Sequence, residues 1–121
     1  MPAKIMIVED DTDFAASLEL ALDIIGLSVM IAGSAEAAYE IMEANHGNIS
    51  LVFFDIKLPQ EDGLSCYEKI RTKHPWVTGI VMTGFRDEKI LARARSVGAV
   101  EVLLKPFRLA DFMALAKKHT T

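Results

Sequence analysis

Leu51-Val-Phe-Phe-Asp55-Ile-Lys-Leu-Pro59 is the stretch that decides the fold. Its opening apolar run has no polar alternation, which is the pattern of a strand covered on both faces, as in a parallel sheet between helices. The run closes on an acid. An earlier run, Ile5-Met-Ile-Val, closes on three: Glu9, Asp10 and Asp11. Two carboxylates about 4 Å apart repel by roughly 4 kcal/mol at the effective dielectric near a protein surface. If the two strands are neighbours, their acids need a compensating charge, either a divalent cation, a lysine, or both.

Outward from this stretch, similar runs recur, and strands are expected at Ile5–Val8, Ser28–Ala32, Leu51–Phe54, Thr78–Thr83 and Val100–Leu104. Segments of helical period lie between them. The first puts Phe14, Leu18, Ala21, Leu22 and Ile25 on one face and ends at Gly26. The second starts from Ser34 as N-cap, with Ala38, Ile41 and Met42 inward. A third runs from about Leu64 to Lys73, where Pro75 forbids continuation, and a fourth from about Asp87 to Val97, before Gly98. The last carries Leu109, Phe112, Met113 and Ala116, and Lys117-Lys-His-Thr-Thr reads as a fraying tail. Strict alternation of this kind gives an α/β fold, a doubly wound (βα)5 parallel sheet. Ligands of such sheets bind beyond the carboxyl ends of the strands, and Glu9, Asp10, Asp55, Thr83 and Lys105 all fall there.

The 121 residues suffice for one domain, and no linker, repeat or low-complexity stretch divides it. At 51% hydrophobic and 25% charged, with mixed signs, the chain has the composition of a soluble globular protein. Its net charge of -4 and scattered basic residues argue against direct contact with nucleic acid by this segment. Cys66 is the sole cysteine, which rules out an internal disulfide and a thiolate metal cluster. Met1-Pro-Ala-Lys leads into a strand without the apolar core of a signal peptide, and no apolar run approaches the roughly 18 to 20 residues of a membrane span, so a cytoplasmic protein away from membranes is expected.

The acids have a bland explanation: Glu9, Asp10 and Asp11 complement the N-terminus of the first helix, with Asp11 or Thr12 as cap. That suits Asp11 but gives no reason for Asp55 to enter the same corner from another strand. Glu9, Asp10 and Asp55 together are hard oxygen ligands suited to Mg²⁺, and zinc is disfavoured because no His or Cys lies near. Lys105 read alone is a solvated lysine at a strand end, and Thr83 a residue capping a turn. Beside a metal-bound carboxylate, an ammonium and a hydroxyl are instead the groups that hold a transferred phosphoryl group. His46, His74 and His119 read as solvated surface, and Trp76 as partly buried.

With these positions assembled, the chain resembles a bacterial two-component response-regulator receiver domain along essentially its whole length. The acidic pair closing the first strand, Asp55-Ile-Lys-Leu-Pro59-Gln-Glu-Asp-Gly63, Met82-Thr83-Gly84, Gly98-Ala99 and Lys105-Pro106-Phe107 stand in the family's order and spacing. The resemblance implies a flavodoxin-like sheet of order 2-1-3-4-5 over residues 1–121. It also implies that Asp55 accepts a phosphoryl group from a phosphohistidine on a sensor histidine kinase or phosphotransfer protein. Asp10 and Asp55 would hold Mg²⁺ directly with the main-chain carbonyl of Lys57, and Glu9 through water. Lys105 would pair with phosphoryl oxygens ahead of a cis bond to Pro106, Thr83 would move to the phosphoryl group, and Pro59 and Gly63 would shape the loop. The fourth helix, fifth strand and fifth helix would then present a changed surface, with Ile90, Leu91, Arg95, Val102 and Arg108 as its candidate residues, although Ile90 and Leu91 suit the core equally.

The sequence departs from the family at Val102, where Tyr or Phe usually stands three residues before the lysine, so the aromatic rotamer switch is missing. Lys57 and Phe85 occupy the positions that tune acyl-phosphate hydrolysis in the family, and their bulk is expected to lengthen the phosphorylated lifetime. As a signalling switch rather than an enzyme, the chain would either stand alone or precede a covalently linked output domain, for which Thr121 is a natural junction, and phosphorylation could drive homodimerisation. Two alternatives remain. An aspartyl-phosphate phosphatase usually needs a second Asp where Lys57 stands, and a non-phosphorylated pseudo-receiver binding module usually loses one of the acids or the lysine.

Overall fold

The computed structural model describes residues 3–45 and 47–120; Met1, Pro2, His46 and Thr121, and the expectations that fall on them, lie outside the described residues. Five parallel strands alternate with five helices: β1 (Ile5–Val8), α1 (Thr12–Ile24), β2 (Val29–Ala32), α2 (Ala35–Asn45), β3 (Leu51–Asp55), α3 (Gly63–Lys73), β4 (Thr78–Thr83), α4 (Glu88–Ser96), β5 (Glu101–Leu104) and α5 (Leu109–Lys118). The sheet order is β2-β1-β3-β4-β5, the doubly wound order expected. The acidic strand ends of β1 and β3 are therefore neighbours, and Val8 pairs with Phe54 so that Glu9 and Asp55 leave the sheet at one level.

Each face of the sheet has its own core. Met6, Val8, Val52, Phe54 and Val81 pack against α2, α3 and α4, where Phe54 stacks on Tyr67 at 4.7 Å. Ile5, Ile7, Phe53, Ile80 and Met82 pack against α1 and α5 through Leu18, Leu22, Phe112 and Ala116. Alternate residues of one strand thus feed opposite cores, which is why the strands lack polar alternation.

The helix ends follow local chemistry. Asp11 caps α1 by accepting from Phe14 N at 3.0 Å, Ser34 Oγ accepts from Ala37 N at 3.1 Å, and Asp62 and Asp87 cap α3 and α4. Gly26 follows α1 at φ +80, a conformation that costs a residue without a Cβ little.

Several details differ from expectation. Asp55 is itself the last residue of β3, Ser28 and Val100 fall outside their strands, and Leu109 opens α5 with its side chain exposed. Lys117 and Lys118 continue α5 rather than fray, and Thr120 Oγ1 donates to Ala116 O at 2.7 Å. His74 is buried, not solvated: as C-cap of α3 it turns inward, and its ring meets half-exposed Trp76 edge-on at 5.1 Å. His119 is half-buried beside Glu101. No helix among the described residues is long and apolar enough to cross a membrane.

Candidate functional site

The site forms where β1 and β3 end and the chain turns into α1 and the loop before α3. A cleft of about 460 Å³ opens there, lined by Glu9, Asp10, Asp11, Asp55, Lys57, Leu58, Pro59 and Lys105. Carboxylate oxygens of Glu9, Asp10 and Asp55 all lie within 4.8 Å of one another. That spacing suits a small divalent cation bound by oxygen, and it would be strongly repulsive without positive charge.

Lys105 supplies part of that charge. From the end of β5, its Nζ donates to Glu9 Oε1 at 3.0 Å and stands 3.3 Å from Asp55 Oδ2. Burial draws the ammonium toward its neutral form, but the bond to Glu9 and the charges of Asp55 and Glu9 outweigh this and hold its pKa above the ordinary value. Glu9 is almost wholly buried, and burial, reinforced by repulsion from Asp55, pushes its carboxyl well above the usual range against the pull of Lys105. The other oxygen of Glu9 accepts from Asp11 N at 3.3 Å. Asp55 Oδ1 accepts from Lys57 N at the same distance, so each Asp55 oxygen has one partner.

The loop from Ile56 to Asp62 is tied on both sides. Gly63 N donates to Ile56 O at 2.7 Å, and a Cβ on Gly63 would stand 1.9 Å from Asp55 O. Only glycine permits helix α3 to begin this close to the acidic strand end. Tyr39 Oη donates to Glu61 Oε1 at 2.9 Å, and Lys69 Nζ pairs with the same carboxylate at 2.6 Å. Arg93 of α4 pairs with Asp62 at 3.3 Å and donates to Ser65 Oγ at 2.9 Å. Asp62 is held below the ordinary carboxylate range: desolvation opposes this, but the bonds from Ser65 and Arg93 prevail.

The structure brings Glu9, Asp10, Asp55, Lys105 and the Lys57–Pro59 segment together. Thr83 ends β4, the next strand, but is not among the residues lining the cleft; it is buried and its Oγ1 accepts from Phe85 N at 2.9 Å. The Lys105–Pro106 bond is cis. Of the expected output residues, Arg95 and Arg108 are exposed, whereas Ile90, Leu91 and Val102 are half-buried, and Ile90 and Val102 pack against the α2–α3–α4 core.

Sequence reading missed the Arg93–Asp62–Ser65 bridge and the Tyr39–Glu61–Lys69 tie. Charged side chains spaced across different elements carry no periodic signal that would pair them. It also assigned Phe14 to the core alone, although its ring lies 4.7 Å below Lys105 Nζ.

Comparison with known proteins places this geometry. Residues 5–117 match the family model of the response regulator receiver domain. The chain is 36% identical over 120 residues to the transcriptional regulatory protein BasR of Escherichia coli, covering 96% of this chain and 53% of that protein. It is 31% identical over 119 residues to the response regulator protein FleR of Pseudomonas aeruginosa, covering 98% of this chain and 25% of that protein. The chain thus spans from a quarter to about half the length of these curated relatives. A CheY-like receiver domain protein from Methanospirillum hungatei superposes with a TM-score of 0.89 at 29% identity, covering 98% of this chain and 93% of that one.

Proposed function

The chain belongs to the family of response regulator receiver domains, and on that premise we propose that residues 1–121 act as one phosphorylation-controlled switch, with Asp55 as phosphoacceptor and Mg²⁺ as cofactor. One observation carries this reading: Asp55 is bonded to Lys105 at 3.3 Å while lying within 4.8 Å of the Glu9 and Asp10 carboxylates. A purely structural lysine needs one acid, whereas here three clustered acids share a lysine that pairs with only Glu9 and Asp55, leaving excess negative charge that favours a divalent cation.

In the step proposed, a carboxylate oxygen of Asp55 attacks the phosphorus of a phosphohistidine or of acetyl phosphate. The bond from phosphorus to the leaving group breaks, and imidazole or acetate departs with the electron pair. Asp10 and Asp55, with the Lys57 carbonyl, would hold Mg²⁺, and Glu9 would act on it through water. Bound there, the cation would neutralise charge on the phosphoryl oxygens. Lys105 follows the phosphoryl group as its counterion, and Thr83 donates its hydroxyl to a phosphoryl oxygen. Pro59 and Gly63 keep the loop against the strand end.

The partner is a sensor histidine kinase or phosphotransfer protein. The changed surface is that of α4, β5 and α5, where Ile90, Leu91, Arg95, Val102 and Arg108 lie, read by an attached output domain, a partner or a second copy. Half-buried Val102 stands where the family usually has an aromatic residue, so coupling falls to Thr83 and the loop after β4.

The test is intact-mass measurement after incubation with acetyl phosphate and Mg²⁺. Addition of one phosphoryl group that requires both Mg²⁺ and Asp55 is expected, so Asp55→Asn stays unmodified. An unmodified wild type would favour a non-phosphorylated binding module, and continuous turnover of a simple phosphate ester would favour a phosphatase.

A further inference from the structure

Phe14 has the period of a core residue, yet its ring is only half-buried and lies against the cleft's lysine: Lys105 Nζ stands over it, 4.7 Å from the centroid. The ring is well anchored. Phe107 meets it edge-on at 5.8 Å and 64°, Phe107 stacks on Phe112 at 6.1 Å, and Phe112 packs on Phe53 at 4.6 Å. A chain of aromatic contacts thus ties the surface beneath Lys105 to β3, the strand that ends in Asp55.

We propose that Phe14 is a positioning residue for phosphoryl acceptance, its ring face keeping the Lys105 ammonium beside Asp55 when the acids cease to hold it. This rests on the functional reading above. In the structure Lys105 is bonded to Glu9 Oε1 and Asp55 Oδ2, and a cation in the cleft would compete for those same oxygens. A lysine released from its acids regains the rotamer freedom of a long side chain. The attraction between an ammonium and a ring face does not depend on the carboxylates and persists through that exchange. An aliphatic side chain would fill the same volume without offering a negative π-face.

Initial rates of phosphorylation by acetyl phosphate with Mg²⁺ would be compared for wild type, Phe14→Leu, Phe14→Met and Phe14→Trp, alongside the NMR shifts of the Lys105 ε-methylene protons. Thermal melts of the four proteins would establish equal folding. We expect the Lys105 ε-protons to lie upfield of those of other lysines in wild type and Phe14→Trp, and at the common position in the aliphatic variants. Phosphorylation should slow roughly two- to five-fold with Leu or Met and stay near wild type with Trp. A general packing role would not distinguish Trp from Leu by charge placement. Unshifted ε-protons in wild type, or a Leu variant as fast as the Trp variant, would overturn the inference alone. A wild type that accepts no phosphoryl group, with the upfield shift present, would overturn the functional reading and this inference with it.

Discussion

Replacing Gly63 with alanine adds one methyl group where the backbone leaves no room. The new Cβ would stand 1.9 Å from Asp55 O, 2.8 Å from Asp55 C and 2.9 Å from Ile56 Cα. All three are main-chain atoms, so no side chain can rotate away. Restoring ordinary contact demands that the start of α3 retreat from the strand end by about 1.5 Å, given that carbon contacts become favourable only near 3.5 Å. That retreat stretches the 2.7 Å bond from Gly63 N to Ile56 O beyond useful length. Overpacking costs about 1–3 kcal/mol and the lost hydrogen bond about 1 more, so a destabilisation of about 3 kcal/mol is expected. With an m-value of about 1–3 kcal/mol/M, the urea midpoint followed by far-UV circular dichroism falls by more than about 1 M. Gly33→Ala is the control, because a Cβ there meets nothing within 4 Å and its effect should stay within about 0.5 kcal/mol. A Gly63→Ala midpoint matching that control would refute the reasoning, and with it the close approach of α3 to Asp55.

Magnesium should raise the melting temperature of the wild type by linkage, an effect worth about 2.7 kcal/mol at a hundred times the dissociation constant; differential scanning calorimetry should show Asp10→Asn no less stable without the ion and insensitive to it. Burial pushes the Cys66 thiol up to about 11, so little thiolate exists at pH 8, and iodoacetamide should label the native protein far more slowly than the urea-unfolded one; equal rates by mass spectrometry would contradict the burial. A Lys57→Asn, Phe85→Glu variant should lose its acyl phosphate faster than wild type once the donor is removed, and an unchanged half-life would show that these two side chains do not hinder water. Thr83→Ala should remove the chemical-shift changes of residues 84–87 on beryllofluoride binding while Thr83→Ser keeps them, and persistence in the alanine variant would place the coupling elsewhere.

The fold was legible because its information is local. Unbroken apolar runs such as Leu51–Phe54 mark doubly covered strands, and Asp11, Ser34 and Asp62 with Gly26 mark helix ends through bonds made within a few residues. The strand-end acids and Lys105 were legible as a set because a parallel sheet delivers every strand terminus to one edge. Contacts made by side-chain reach across elements were not. Nothing in the sequence pairs Arg93 with Asp62, or aims Phe14 at Lys105 rather than wholly at the core. His74 was misread for a related reason: its place after the last turn of α3 suggests exposure, whereas the turn of the chain through Pro75 and Trp76 folds it inward.

On the function proposed, charge balance offers a route for coupling that does not need an aromatic residue at position 102. Formally, Glu9, Asp10 and Asp55 against Lys105 leave two negative charges, an excess that burial moderates by raising the pKa of Glu9. Converting the Asp55 carboxylate to an acyl phosphate adds about one further negative charge and new acceptor oxygens at the end of β3. Thr83 is one strand away and well suited to answer. Its Oγ1 already accepts from Phe85 N at 2.9 Å, and a hydroxyl can accept one hydrogen bond while donating another. Donation to a phosphoryl oxygen would therefore not require release of the Phe85 amide, and a shift of Thr83 that kept this bond would draw the amide with it. On the function proposed, such a movement would pass through main chain, from Thr83 to Phe85 and on to Asp87, the cap of α4. Because Arg93 also ties α4 to Asp62 in the loop after β3, a displacement of the helix N-terminus would be resisted further along the same helix, which would favour a pivot over a slide.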